Sequence, residues 1–206
     1  MSTPVSDATA PLGAPQGSAQ GSPEGSAQGS ARGAFPAGAF PVGAFDDVLG
    51  ANAEYAATFH ELGLTGRAAR GLAVVTCMDS RIDPLRVLGM GPGDVKILRN
   101  AGARVTEDVL RTLVLATYLL GVDRVLVMPH TKCKMASGTE EEIHDLIETE
   151  YGVDTRSMEF RTTLDQQRAL ATDLRRIRSF PLLPEHVVVG GAMYDVDTGL
   201  LSPIDA

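Results

Sequence analysis

The stretch Gly71-Leu-Ala-Val-Val-Thr-Cys77-Met-Asp79-Ser-Arg81 constrains this chain most. An apolar, Val-rich run of strand length reads as a buried strand, the kind found inside a parallel sheet covered on both faces. It ends abruptly in a thiol, a carboxylate and a guanidinium at alternate positions. A second run, Arg124-Val-Leu-Val-Met-Pro-His130-Thr-Lys-Cys133, ends in an imidazole and another thiol three positions apart. These are the only two cysteines in the chain. In open parallel α/β sheets, ligands and chemistry gather at the carboxyl ends of the strands.

The elements around these runs follow from local signals. Residues 46–59 are alanine-rich, with apolar positions near helical spacing and acids in the first turn, and predict a helix leading into the domain. Strand one spans 71–77, and Pro84 opens a short helix. Gly91-Pro-Gly93 turns into strand two at 95–100. Thr106 caps a helix through Leu120 that Gly121 ends. Strand three is 124–129. Thr139 with Glu142 forms a capping box for a helix ending at Gly152, and Thr163 with Gln166 predicts another through about Arg178. Strand four is 186–190, and Asp197-Thr-Gly199 turns into a final short strand ending near Ile204. Strands alternating with helices give an α/β fold, expected as a three-layer, Rossmann-like sandwich around a mostly parallel sheet of four to five strands.

Residues 1–44 are low-complexity: Gly-Ser-Ala-Gln recurs at 17–20 and 25–28, and Gly-Ala-Phe at 33–35, 38–40 and 43–45. Such a composition buries too little apolar area to offset ordering entropy, so it predicts a disordered tail before a domain at 45–206. The tail lacks the basic start and apolar core of a secretory signal, and its single Arg32 argues against a transit peptide. No apolar run reaches the roughly 18 residues of a membrane span. A cytoplasmic protein is expected. The formal net charge of −8 argues against nucleic-acid and anionic-membrane partners, while leaving small anions open.

Cys77, His130 and Cys133 supply the sulfur and nitrogen donors that zinc prefers, and their separation suits a strand–helix–strand–helix–strand excursion. Three protein ligands and an open position make a catalytic site; four make a structural one. Asp79 is either the fourth metal ligand or swings away to leave room for water. Arg81 can hold it in a bidentate pair, so that it orients a zinc-bound hydroxide. A Cys77–Cys133 disulfide is the plain alternative, and a structural zinc with Asp79 as permanent ligand is another. His60, His144 and His186 read as surface or helix residues. The acids around His144, and Arg168, Arg175, Arg176 and Arg178, read as solvated helix faces. Residues 89–93 precede a strand, so they are no phosphate loop. Gly190-Gly191 marks a close backbone approach or a bulge at a strand end.

Taken together, Cys77-Met-Asp79-Ser-Arg81, Arg99-Asn-Ala-Gly102 and His130-Thr-Lys-Cys133 resemble the signature blocks of the β-class carbonic anhydrases. The resemblance covers roughly residues 45–206, including the closing Tyr194-Asp-Val-Asp-Thr-Gly-Leu200, and is greatest to the short members of that family. It implies Zn2+ on Cys77, His130 and Cys133, with Asp79 and Arg81 as the catalytic dyad. It further implies carbon dioxide and bicarbonate as reactants, and a homodimer or higher even oligomer with an apolar carbon dioxide pocket near the subunit interface. Carbonyl sulfide and carbon disulfide hydrolases share the same ligands and are the implied alternative. Two departures stand out. Lys134 occupies a position where the family usually has glycine, and the chain has no tryptophan with which to build the bicarbonate-inhibition site of some members.

Overall fold

The computed structural model describes residues 40–60 and 63–205; the stretch expected to be disordered lies, up to residue 39, outside them. The described residues fall into two units divided after Phe59. In the first, Asp46–Thr58 forms α1, with Asp46 and Asp47 at the positive end of its dipole and no buried residue. The second unit carries the sheet. β1 is Leu72–Cys77, buried at every position. Asp83 then accepts from the Arg86 amide to cap α2, Pro84–Val87, a single turn with proline at its start. β2 is Val95–Asn100. α3, Glu107–Leu119, starts on Thr106, whose hydroxyl accepts from the Val109 amide. β3 is Arg124–Met128. α4, Glu140–Tyr151, has the expected Thr139–Glu142 capping box and ends on left-handed Gly152. α5 is Gln166–Arg178, β4 is Val188–Tyr194 and β5 is Leu201–Ile204.

The strands lie in the order β2-β1-β3-β4-β5. The first four are parallel and β5 runs antiparallel to β4. Side chains of a strand alternate between faces, and the core divides accordingly. Ala73, Val75, Val125 and Val127 pack with Leu113 of α3 and Leu170, Leu174 and Ile177 of α5. Leu72, Val74 and Met128 pack with Ile82, Tyr194 and the partly buried Val87 and Met135. Burial on both faces is why β1 and β3 read as nearly continuous apolar runs.

Three expectations need correction. The cap of α5 is Asp165, whose carboxylate accepts from the Arg168 amide at 2.9 Å. Thr163 instead makes a tight turn just upstream, accepting from the Asp165 amide at 3.2 Å. β4 begins two residues late and runs on to Tyr194, because its second half pairs with β5. Gly190 and Gly191 therefore lie inside the strand. A Cβ on Gly191 would stand 2.8 Å from Leu174 and 3.0 Å from Leu170, so α5 packs directly on bare backbone there. His144 is buried, bonded to the Thr155 hydroxyl at 2.8 Å with its ring 4.9 Å from that of Phe160, although the acids beside it on α4 are largely exposed.

Gly191→Ala should lower stability by about 1–3 kcal/mol through overpacking against α5. Gly190→Ala, whose added Cβ meets nothing within 4 Å, should stay within about 0.5 kcal/mol of the parent. Urea unfolding of both variants checks the pair.

Candidate metal centre

Register builds this site. Thr76 of β1 stands opposite Met128 of β3, so the two chains leave the sheet side by side, one into Cys77 and the other into His130. The buried Thr76 hydroxyl donates to the Met128 carbonyl at 2.9 Å and ties the two strand ends. Beyond β3 the chain stays beside β4: the Tyr194 amide donates to the Pro129 carbonyl and the Thr131 amide to the Tyr194 carbonyl, both at 2.9 Å. It then reverses within His130–Cys133. Lys132 takes a φ of 54° there, uncommon for a residue other than glycine.

The reversal aims Cys77, His130 and Cys133 at one point. Their ligand atoms lie within 4.8 Å of one another and all three residues are buried; this is the one such cluster among the described residues. The sulfurs are 3.9 Å apart. Two zinc–sulfur bonds of 2.3 Å at a tetrahedral centre would subtend about 3.8 Å. Both cysteines are free. Nδ1 of His130 lies 2.8 Å from the Thr131 carbonyl and donates to it, which leaves the lone pair on Nε2. That Nε2 is buried without a hydrogen-bond partner. A buried polar atom left unsatisfied calls for an explanation, and a metal ion on these donors supplies one.

The electrostatics agree. A bond from the Cys133 thiol, helped by His130 and by the Gly102 amide at 3.4 Å, brings the Cys77 thiol down to about 3. The same contact with Cys77, together with burial, pushes Cys133 up. Burial lowers the His130 pKa, but the neighbouring Cys77 thiolate outweighs it and the net shift is upward. Each sulfur thus opposes ionisation of the other, and a dication seated against both would favour the thiolate on each.

Asp79 and Arg81 sit beside this trio. Nε of Arg81 donates to one carboxylate oxygen of Asp79 at 2.9 Å and Nη2 to the other at 2.7 Å. The Arg81 amide adds a bond at 3.0 Å. These bonds hold the Asp79 carboxyl well below the usual carboxylate range and raise the Arg81 pKa in turn. Nη2 also donates to the carbonyl of Lys132 at 3.1 Å, the residue whose left-handed turn aims that carbonyl inward. Oδ2 of Asp79 remains 3.7 Å from Nε2 of His130.

Other contacts had no assigned role in the sequence. Arg99 bonds the carbonyls of Cys77, Asp79 and Ile82. Gln166 of α5 donates to the His130 carbonyl at 3.0 Å. Arg104 forms an ion pair with buried Asp173 at 2.7 Å. Lys134 is exposed and opens a 3-10 turn, Lys134–Ala136, without adopting a left-handed conformation. The backbone there has no need of glycine.

Residues 72–201 match the family model described as Carbonic anhydrase. Beta-carbonic anhydrase 1 of Mycobacterium tuberculosis is 35% identical over 160 residues, which is 77% of this chain and 96% of that protein. A carbon disulfide hydrolase of Acidithiobacillus thiooxidans is 28% identical over 154 residues, covering 65% of this chain and 77% of its own length. Among solved structures, a carbonic anhydrase from Streptococcus mutans superposes with a TM-score of 0.74 at 35% identity, over 78% of this chain and 97% of that one.

Arg81→Ala should let the Asp79 pKa climb back towards about 3.9, which a carboxyl NMR titration reads directly. A lowered folded pKa stabilises above the unfolded value and is lost as pH falls through the folded one. For this partly exposed pair the variant should therefore be slightly less stable at neutral pH, with the gap closing in strong acid.

Proposed function

The chain belongs to the β-class carbonic anhydrase family, and from that membership we propose that it is a zinc-dependent carbonate dehydratase interconverting carbon dioxide and bicarbonate. The observation that carries the reading is a buried, partnerless His130 Nε2 facing two sulfurs at tetrahedral spacing. Cys77, His130 and Cys133 would hold the ion. Once bound, zinc supplies the Lewis acidity that lowers the pKa of water towards neutrality.

The chain's own residues do the rest. Thr131 fixes the tautomer of His130 through its carbonyl. Arg81 occupies both oxygens of Asp79, keeping the carboxylate ionised and turned away from full ligation. The remaining lone pairs of Asp79 accept a hydrogen bond from a reacting water and set its direction of attack, as preorganised acceptors do. The positive charge of Arg81 offsets part of the negative charge of the two thiolates. A purely structural zinc with Asp79 as fourth ligand would leave the bidentate Arg81 without a purpose.

Carbon disulfide hydrolysis is the second reading. It is supported by relatives of that name at 28–30% identity, and it would use the same donors on another linear electrophile. The proposed setting is cytoplasmic, as a homodimer or higher even oligomer whose apolar carbon dioxide pocket lies near the subunit interface. No helix among the described residues is long and apolar enough to cross a membrane. The net charge of −8 argues against nucleic acid.

Elemental analysis should find about one zinc per chain, with Cys133→Ser losing most of it. Stopped-flow hydration of carbon dioxide on metal-quantified protein, with carbonyl sulfide and carbon disulfide in parallel, separates the two readings. Arg81→Ala should keep its zinc and lose roughly a hundredfold in hydration rate. A metal-free protein with its cysteines disulfide-linked, or an Arg81→Ala variant as fast as the parent, would sink the assignment. Sedimentation should show a dimer at micromolar concentration.

A further inference from the structure

Arg99 stands near the end of β2 and directs its guanidinium at backbone. Its Nε donates to the carbonyl of Cys77 at 2.9 Å, Nη2 to that of Asp79 at 2.6 Å and Nη1 to that of Ile82 at 3.2 Å. These three carbonyls bracket the turn between β1 and α2. The turn carries Cys77 at its start and Asp79 and Arg81 in its middle. Its other ties are one bond or contact each: the Met78 amide reaches the Asn100 carbonyl, the Ile82 amide reaches the Asp79 carbonyl, the Gly102 amide reaches the Cys77 sulfur, Nη2 of Arg81 reaches the Lys132 carbonyl, and the side chain of Ile82 is buried. The other residues from Met78 to Asp83 are exposed or only partly buried. Carbonyl dipoles aimed at a common point repel one another, so a turn that converges three of them needs a cation at its focus. A planar fork of five donors serves all three at once, which a compact ammonium cannot do.

We infer that Arg99 is a positioning residue for this reaction, a clip that fixes the Cys77–Ile82 backbone so that the Asp79–Arg81 pair lies against the Cys77, His130 and Cys133 donors. The inference rests on the carbonate dehydratase reading, in which Asp79 acts on the reacting water. Two arginines then divide the task. Arg81 sets the direction of the Asp79 carboxylate from its side chain outward. Arg99 holds the peptide on which that side chain is mounted. Without Arg99 the Asp79–Arg81 pair survives and keeps the bond from Arg81 to the Lys132 carbonyl, but the peptide that carries Asp79 is no longer fixed beside the donors. A misplacement near 1 Å is enough to cost orders of magnitude in rate.

The test uses the zinc-loaded full chain as parent, Arg99→Ala, Arg99→Lys, Arg81→Ala and the Arg99→Ala/Arg81→Ala double variant. Expected for Arg99→Ala are a zinc content equal to the parent's, a kcat for carbon dioxide hydration lower by roughly 10–100-fold, and a KM moved far less. Amide hydrogen exchange should speed up at residues 78–82 and stay unchanged at 72–76. Added guanidine should restore part of the lost rate. The double variant should be no slower than Arg81→Ala, since both act through Asp79. Arg99→Lys keeps the charge without the fork and should remain defective. If Arg99→Ala does not fold, Arg99→Lys carries the same comparison of rate and exchange. A kcat within twofold of the parent, or unchanged exchange at 78–82, overturns the inference. Should the parent itself fail to hydrate carbon dioxide, the functional reading falls, and the exchange measurement still decides whether Arg99 holds the turn.

Discussion

Parallel pairing of β1 with β3 is the contact on which the site depends. Ala73, Val75, Val125 and Val127 face one buried cluster, while Leu72, Val74 and Met128 face the other. Side chains alternate with a period of two, so a slip of one residue would turn every one of these to the wrong face. The packing of the two faces therefore fixes the register, and the register sets Cys77 beside the chain leading to His130. Metal donors more than fifty positions apart in sequence meet as a consequence of apolar packing. The hydrogen bond from Thr76 to Met128 ties the two strand ends through a side chain from within the sheet.

Around this anionic cluster an acidic protein concentrates arginines, each satisfied in a different way. Arg81 takes a carboxylate, Arg99 takes carbonyls, and Arg104 takes buried Asp173 together with the Arg161 carbonyl at 3.0 Å. Arg104 in turn anchors a strained turn. The Asn100 side chain accepts from the Arg104 amide at 2.8 Å and donates to its carbonyl at 2.7 Å. Between these anchors Gly102 and Ala103 both hold positive φ, and the Gly102 amide comes to face the Cys77 sulfur. A left-handed alanine costs of order 1 kcal/mol. Here the reciprocal side-chain bonds of Asn100 offset that cost, and the turn gains an amide aimed at a thiolate.

The sequence revealed the parts of the site whose chemistry resides in side chains. Cys77, Asp79, Arg81, His130 and Cys133 stand out because few residue types serve as metal ligands or bidentate pairs, and because they close apolar runs. Caps on α3 and α4 were legible for the same reason: Thr106 and Thr139 act within three residues of themselves. Arg99 entered only through the family resemblance and Gln166 only at the start of α5; their contacts at the site left no signal, since their partners are backbone carbonyls. A carbonyl is present at every position and leaves no mark in sequence. For the glycines of β4 the close backbone approach was legible and their place in the strand was not: Leu170 and Leu174 of α5 rest on Gly191, and the strand runs on past it to Tyr194.

The His130–Cys133 turn shows how strain and chemistry are joined. Two donors three positions apart would face the same way on a helix, but this turn starts from an extended strand and must reverse within two residues. Thr131 remains tied to β4, its amide on the Tyr194 carbonyl and its hydroxyl accepting from the Val196 amide at 3.1 Å. The reversal is thereby left to Lys132, which adopts the left-handed region. Glycine would adopt it without strain but would also enlarge the unfolded ensemble. The ammonium of Lys132 pairs with Asp197 at 2.6 Å, an exposed contact that contributes little by itself. What the left-handed conformation secures is the direction of the Lys132 carbonyl, which meets Nη2 of Arg81. The same peptide that brings Cys133 round to His130 therefore also grips the arginine that holds Asp79. The ligand turn and the carboxylate pair are mechanically one unit, and a relaxation of Lys132 would move both.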